Sequence, residues 1–422
     1  MPINLVWLAP FIVLLAAIAV MPLINKQWWE SNFTYVSLSL AFIIIVRYLF
    51  LPSGGTALLH VIVEYLSFIC LVGSLFVVSG GILINVKGEA TPAVNTVFLF
   101  VAAVLSNFLG TTGASMVMIR PWMRMNKYRL TSYHIIFFIF IVSNIGGALT
   151  PIGDPPLFLG YLMGIPFFWV LKNLWPIWLL AISILLTIFY ICDLDNFRRA
   201  PVAVQNEKTE SEQWRFLGWQ NIVFLGMIIG AVFINKPRFL REFIMITAAA
   251  MSYVSTPKQI HLGNNFNFEP IKEVAILFLG IFVTMIPALE WLRMHAAEIG
   301  ISSAGQFYWG SGALSSVLDN APTYLNFLSG ATGLLASGSM LSDNSAVAVL
   351  VHSYPNYIRA ISVGCVFFGA MTYIGNGPNF LVKSIAGHAK VKMPSFFGYV
   401  FRFGLPILAP VFLIVWYCFF RG

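Results

Sequence analysis

Asn144-Ile-Gly-Gly-Ala-Leu-Thr-Pro-Ile-Gly-Asp-Pro-Pro156 lies inside a long apolar run that it interrupts with polar, glycine and proline residues. It carries Asn144, Thr150 and Asp154 and is broken by Gly146, Gly147, Gly153 and three prolines. Glycine frees φ, and proline removes a backbone donor and cannot continue a helix. The segment is therefore expected to unwind. Unwound backbone at membrane depth is tolerated only where it is buried in protein or lines a wet cavity. A carboxylate beside it is expensive there and marks a functional site.

The device recurs. Gly147-Ala-Leu-Thr-Pro-Ile-Gly-Asp-Pro-Pro-Leu-Phe-Leu159 lies without gaps over Gly369-Ala-Met-Thr-Tyr-Ile-Gly-Asn-Gly-Pro-Asn-Phe-Leu381, with eight of thirteen pairs identical. Such density indicates an internal duplication. Interrupted apolar segments at matching positions of two halves point to a transporter's binding site.

Composition agrees. Of 422 residues, 59% are hydrophobic, 15% aromatic and 9% charged, against about 25% charged in soluble domains. So few charges cannot cover a water-facing surface, and the chain reads as an all-α polytopic membrane protein. Its net charge of +8 fits Lys and Arg gathered in cytoplasmic loops, with no nucleic acid as partner. Cys70, Cys192, Cys365 and Cys418 lie in apolar runs and form neither a disulfide framework nor a metal motif. The first run, Val6–Ile24, lacks a basic leader and a cleavage site and reads as a retained span.

A span needs roughly 20 apolar residues. On that measure an N-terminal repeat occupies residues 1–192, a polar cytoplasmic linker 193–218, and a C-terminal repeat 219–422. The expected inventory is about ten transmembrane helices, two re-entrant hairpins (94–119 and 307–335) and two broken helices (133–163 and 357–382). Each hairpin has its polar turn residues in the middle: Ser106-Asn107 through Ser115 in one, Ser315 through Thr323 in the other. Hairpins return to their own side. Lys87, the Arg120–Arg129 cluster, Lys258, Lys383, Lys390 and Lys392 then share one face with the linker, while residues 336–355, which carry Asp343 and no Lys or Arg, fall on the other. Lys236 and Arg238 depart from this pattern. Both termini are expected outside, and an odd number of crossings per half inverts one repeat relative to the other. Two registers fit the hairpin tips. One sets Leu105-Ser106 on Leu314-Ser315 and keeps the spacing of Glu64 and Glu273. The other sets Ser106-Asn107 on Asp319-Asn320, matches chemistry better, and is preferred here.

The polar groups expected at mid-depth are Ser106, Asn107, Thr111 and Thr112; Asn144, Thr150 and Asp154; Ser316, Asp319, Asn320 and Thr323; and Thr372, Asn376 and Asn379. All are oxygen donors, as a hard cation such as sodium requires, and broken-helix transporters coordinate such ions with unwound carbonyls. Sulfur and histidine are missing from the set, which disfavours a transition metal. No Lys or Arg lies in the four motifs, so the fixed charge of Asp154 and Asp319 favours a cation. Burial favours a protonated carboxylate and a bound cation favours the ionised one, so Na⁺ and H⁺ compete for one group, with Na⁺ expected at Asp154, Asp319, Asn107 and Asn320. Asp154, immediately before Pro155-Pro156, and Asp319, before Asn320-Ala-Pro322, could each cap the following helix. Glu64 is a candidate proton relay, with His60 one turn away as its partner. Glu273 reads as interfacial. His134, His295, His352 and His388 read as solvated, and Trp28, Trp29, Trp122, Trp169, Trp175 and Trp178 as an interfacial belt. No phosphate-binding glycine loop is present, which disfavours an ATP-driven pump, and the duplicated halves disfavour a channel.

Asn144-x-Gly-Gly-Ala-x-Thr-Pro-Ile-Gly-Asp154, Val317-Leu-Asp319-Asn320-x-Pro322 and His60-x-x-x-Glu64 resemble signatures of NhaD-type sodium/proton antiporters, in the superfamily that also holds divalent-anion/sodium symporters, citrate–metal symporters and arsenite exporters. The resemblance covers Leu58 to the end. It implies paired hairpins in inverted repeats, elevator-type alternating access, a homodimer joined through scaffold helices, and residence in the cell (inner) membrane. Ser106-Asn107 replaces the antiporters' Asp-Asn and is closer to the anion symporters, as is Gly377-Pro378-Asn379. The expected activity is Na⁺/H⁺ antiport, with no enzymatic chemistry and no cofactor. The rival reading is coupled symport of citrate, another carboxylate or an anion such as arsenite.

Overall fold

The structure is a computed structural model that describes residues 5–52, 54–86, 90–199, 215–234, 236–237, 239–336 and 343–421. Lys87, Arg238, residues 200–214 of the linker and residues 337–342 lie outside the described residues.

Helices α1 (Ala9–Ile24), α2 (Lys26–Leu49) and α3 (Gly54–Gly80) come first. The Asn25 side chain accepts a hydrogen bond from Trp28 N at 3.0 Å and so starts α2 afresh after α1. Ile12, Phe42 and Ile43 face outward, as befits helices whose solvent is lipid. A strand β1 (Leu83–Asn85) follows, and later pairs antiparallel with β2 (Arg215–Leu217).

Helix α4 (Pro92–Met125) has 34 residues and would measure about 51 Å if straight. It folds back instead. Gly110 adopts φ 73°, ψ 157°, a conformation open to glycine and strained for side-chain-bearing residues. The two ends then meet: Ala90 N donates to Met125 O at 3.3 Å, Asn95 and Asn126 exchange amide bonds of 2.7 and 3.0 Å, and the Phe98 and Trp122 rings stack at 5.6 Å. Length and composition alone would pass this element as a span; its end-to-end contacts make it a hairpin.

The next element is interrupted: α5 (Ser132–Ile141), a 3₁₀ turn at Ile145–Leu149, an extended stretch, and α6 (Pro155–Leu162). Every residue of α5 from His134 to Ile141 is buried, as an all-round apolar helix must be. Helix α7 (Phe167–Arg199) returns. The second half comprises α8 (Gln220–Val232), α9 (Leu240–Ser255), α10 (Lys258–Gly263), α11 (Glu269–Thr284) and α12 (Ile286–Ile299), the last two bent by 44°. A second hairpin, α13 (Ala304–Ser315) and α14 (Asn320–Ala336), has its arms packed through Phe307 and Phe327. After α15 (Asp343–Ser353) comes a second interrupted helix, α16 (Pro355–Phe368), a 3₁₀ turn at Gly369–Met371, and α17 (Gly377–His388). Short α18 (Phe396–Tyr399), a π-helical stretch and α19 (Ala409–Phe419) close the chain. Among the described residues seven helices are long and apolar enough to cross a membrane, eight if the bent pair is one span. The chain is an all-α polytopic membrane protein.

Buried apolar side chains fall into two clusters. One joins α4, α5, α7 and the elements from α13 onward. The other joins α1–α3, α8, α9, α11 and α12. Ile152, Phe158, Leu159, Ala321 and Leu325 belong to the second cluster although they sit on an interruption and a hairpin. They are where the two bodies touch.

Three expectations need correction. Asp193–Arg199 belong to α7 and are not linker; Asp193 is fully buried. Its carboxylate pairs with both guanidinium nitrogens of Arg129 and accepts from Tyr133 Oη at 2.7 Å and Asn95 Nδ2 at 2.8 Å. His134 is not solvated: it has no exposed surface, and its Nε2 lies 3.0 Å from Asp193. This cluster rivets the foot of the first hairpin to α5 and α7. The tryptophan belt is also only partial. Trp28 and Trp175 are exposed, whereas Trp29, Trp122 and Trp178 are buried, with Trp122 Nε1 donating to His134 O and Trp178 Nε1 to Gly146 O. Span ends buried by neighbouring helices offer interior partners that a single-helix reading cannot foresee.

Candidate functional site

The two interruptions share one backbone path. Thr150 (φ −136°, ψ 154°) matches Thr372 (φ −136°, ψ 167°), and Asp154 (φ −142°, ψ 141°) matches Asn376 (φ −155°, ψ 139°). Glycine permits the tight return. A Cβ on Gly147 would sit 2.7 Å from Gly153 O, and one on Gly375 would sit 2.6 Å from Gly369 O.

Each interruption binds a hairpin tip through its threonine. Thr150 Oγ1 donates to Asn107 O at 2.6 Å, and Thr372 Oγ1 donates to Ser316 O at 2.7 Å. The same hydroxyls accept from Gly153 N and Gly375 N, at 3.1 and 3.0 Å. Ser106 Oγ reaches Val142 O, and Ser315 Oγ reaches Cys365 O, at 2.9 and 2.6 Å. These pairs match Ser106-Asn107 with Ser315-Ser316. The hairpins therefore follow the register that keeps the spacing of Glu64 and Glu273, not the one that lays Ser106-Asn107 on Asp319-Asn320. Similar side-chain chemistry misled the alignment; backbone position is what the duplication preserved.

All four motifs converge on Asp154, which has no exposed surface. Its Oδ1 accepts from Thr111 Oγ1 of the first hairpin at 2.8 Å and from Asn376 Nδ2 of the second interruption at 3.1 Å. Its Oδ2 accepts from Asn320 Nδ2 of the second hairpin at 2.7 Å. Asp154 stands at the N-cap of α6 but its side chain makes no capping bond; Pro155 and Pro156 fill the first two positions. The carboxylate thus faces the other motifs. Two carboxylate oxygens offer about four acceptor sites, and three are taken. Beside them Asn320 Oδ1 is buried with no hydrogen-bond partner.

The remaining polar residues brace this centre. Asn144 Nδ2 donates to Ile139 O and Asn379 Oδ1, at 2.8 and 2.7 Å, and Asn144 Oδ1 accepts from Asn376 Nδ2 at 3.3 Å. Asn379 Nδ2 donates to Gly369 O and Thr372 O. Asn107 donates to Gly146 O at 2.7 Å and accepts from Leu149 N at 2.8 Å. Ser316 Oγ donates within its own helix, to Gly312 O. Thr112 is half-buried and lines a cavity of about 30 Å³ with Thr111, Pro151 and Gly153. Asp319 differs from Asp154. It is half-buried, and its Oδ1 accepts from Ala321 N at 3.0 Å, so it caps α14. Thr323 Oγ1 donates to the Asp319 carbonyl. Glu64 pairs with His60 at 3.4 Å on α3, and Glu273 is exposed.

Sequence reasoning missed Ser143 and Ser315. Ser143 O accepts from Asn376 Nδ2 at 3.2 Å, and its hydroxyl lies 2.7 Å from Ser115 Oγ. Ser315 is the partner of Ser106, as the register that keeps the spacing of Glu64 and Glu273 places it.

Two hairpins and two interrupted helices closing on one buried carboxylate, in a multi-pass membrane protein, make this a secondary transporter. Over residues 1–420 the chain matches the family described as "Putative citrate transport" and belongs to it, within the ion transporter superfamily. No curated protein matches the chain.

Proposed function

We propose that the protein exchanges sodium for protons, with Asp154 as the group that holds one or the other. The observation that carries this reading is the environment of Asp154: a fully buried carboxylate whose three partners are neutral hydroxyl and amide donors from three separate motifs. An ionised carboxylate so placed keeps acceptor capacity for one positive ligand. Asn320 Oδ1 supplies a free oxygen within the same constellation, and Asn144, Asn107 and the hairpin carbonyls frame it. Sodium and a proton favour opposite ionisation states of one carboxylate, so each displaces the other. Asp319, tied to its own helix, contributes charge at longer range.

The two apolar bodies support elevator-type alternating access, in which the one carrying both hairpins and both interruptions slides against the one built from α1–α3, α8, α9, α11 and α12. Inversion of the two halves is supported by the path of the chain. The first hairpin's foot lies with the C-terminal end of α7. The other end of α7 packs Phe167 on Phe233, at the end of α8. Asn221 at the start of α8 bonds Thr256 at the end of α9, and α11–α12 cross once more before the second hairpin begins. Residence in the inner membrane with both termini outside belongs to the same reading.

The second reading is cation-coupled uptake of citrate or a related carboxylate. It is favoured by the family's description and by the matched tips Ser106-Asn107 and Ser315-Ser316, where four half-helix starts could face an anion. Reconstitution with an entrapped pH-sensitive dye separates the two. Antiport predicts that external sodium moves protons without any carboxylate present. Proton movement or ¹⁴C-citrate uptake only when citrate and cation are supplied together would replace it by symport.

A further inference from the structure

Among the described residues, buried polar oxygens without partners concentrate on one helix. Along α14, Asn320, Thr323, Asn326, Ser329 and Thr332 recur at every third residue, each 8% exposed or less. Asn320 Oδ1, Asn326 Oδ1 and Ser329 Oγ have no hydrogen-bond partner. A row of this kind winds around its helix as it climbs, and from Asn320 to Ser329 it rises about 14 Å. An unsatisfied buried acceptor costs about 1–3 kcal/mol, and three on one arm call for water to satisfy them. Beside one of them there is room: Asn326, with Thr323, lines a largely apolar cavity of about 510 Å³ between α14 and the helices α1 and α12, with Phe11 and Leu15 among its walls, while Asn320 and Ser329 lie behind it with no exposed surface.

The first hairpin has no such row. In the register fixed by Ser106 and Ser315, the matching residues of α4 are Thr111, Ala114, Val117, Arg120 and Met123. Ala114 and Val117 are buried and apolar. Arg120, the counterpart of Ser329 in that register, brings a positive charge and a buried Nη1 without a hydrogen-bond partner.

We propose that α14 carries the hydrated passage through which the coupling cation or proton travels between Asp154 and the membrane face at the foot of the second hairpin, and that Asn326 and Ser329 line it. This rests on the cation-coupled reading above. The row offers neutral oxygens to a cation at each step, whereas the matching row of α4 offers, after Thr111, methyl groups and then a guanidinium. Access to Asp154 is therefore one-sided in this conformation.

Cysteine labelling tests it. In protein carrying Cys70→Ala, Cys192→Ser, Cys365→Ala and Cys418→Ser, single Asn326→Cys, Ser329→Cys, Ala114→Cys and Val117→Cys variants are exposed in liposomes to 2-(trimethylammonium)ethyl methanethiosulfonate. Positions 326 and 329 are expected to react at least tenfold faster than 114 and 117. Equal rates on both arms, or no reaction at 326 and 329, would overturn the proposal; should Asn326→Cys fail to fold, Ser329→Cys decides. In an otherwise unaltered protein, Asn326→Leu is expected to slow sodium-driven proton movement about tenfold while sodium half-saturation stays within twofold, and an unchanged rate would also overturn it. Labelling needs neither sodium nor citrate. A cargo other than sodium would thus strike the proposed function and leave the labelling pattern to judge the passage.

Discussion

The first interruption and the second have the same backbone and different charge. Thr150 and Thr372 tie their loops to hairpin tips by equivalent bonds, yet Asp154 stands where its counterpart is Asn376. The two hairpins differ in the same way: one arm carries a row of buried polar residues along its length, whereas the matching row of the other passes from Thr111 to Ala114, Val117 and Arg120. Duplication supplied a frame, and divergence placed one carboxylate and one polar arm in it. Because Asn376 donates to Asp154, the neutral half serves the charged half directly.

The largest effect tests the charge itself. Asp154→Asn is expected to reduce sodium-dependent proton movement about a thousandfold with the fold intact by circular dichroism. Adding Asn376→Asp to that variant sharpens the comparison: recovery of tenfold or more would show that either half can hold the carboxylate, and no recovery would show that the surrounding donors have diverged too. Next comes Asp193→Ala, which strands Arg129 in the interior; breaking such a buried pair costs about 3–5 kcal/mol, seen as a clear drop in thermal midpoint in detergent. Asp319→Asn follows. Its carboxylate caps α14, a role an amide oxygen can retain, so transport should fall by no more than about tenfold. A loss as deep as that of Asp154→Asn would make the two acids equal partners and undo the asymmetry. Smallest are Thr150→Val and Thr372→Val, each removing a hydrogen bond worth about 1 kcal/mol. Similar losses of thermal stability would confirm that the two hairpin links are equivalent.

Much of this was legible in the chain before folding. The glycine–proline interruptions, their duplication, and the hairpin at Gly110 follow from residues whose backbone constraints are local. So does the convergence of Asp154, Asn320, Asn376 and Thr111, because unwound segments in a membrane must be buried against one another. What escaped depends on neighbours. His134 and Asp193 sit at helix ends, and an end alone does not show that Arg129, Asn95 and Tyr133 will enclose it. Trp122 and Trp178 looked interfacial by type, yet their indole donors found backbone carbonyls inside. The hairpin register failed for another reason: Asp319-Asn320 and Ser106-Asn107 look alike as side chains, but only a hydrogen bond from Thr372 to Ser316 reveals which backbone atoms correspond.

Two consecutive imino acids open α6. Neither Pro155 nor Pro156 has an N–H to offer, and the next amide, Leu157 N, is bonded to the Asp154 carbonyl at 3.0 Å, so the start of that helix leaves the carboxylate before it uncapped. An alanine there would hand back a local donor and give the aspartate a reason to turn inward on its own segment. By withholding it, the double proline leaves the charge hungry, reserved for residues more than forty positions away in sequence and for whatever passes between them.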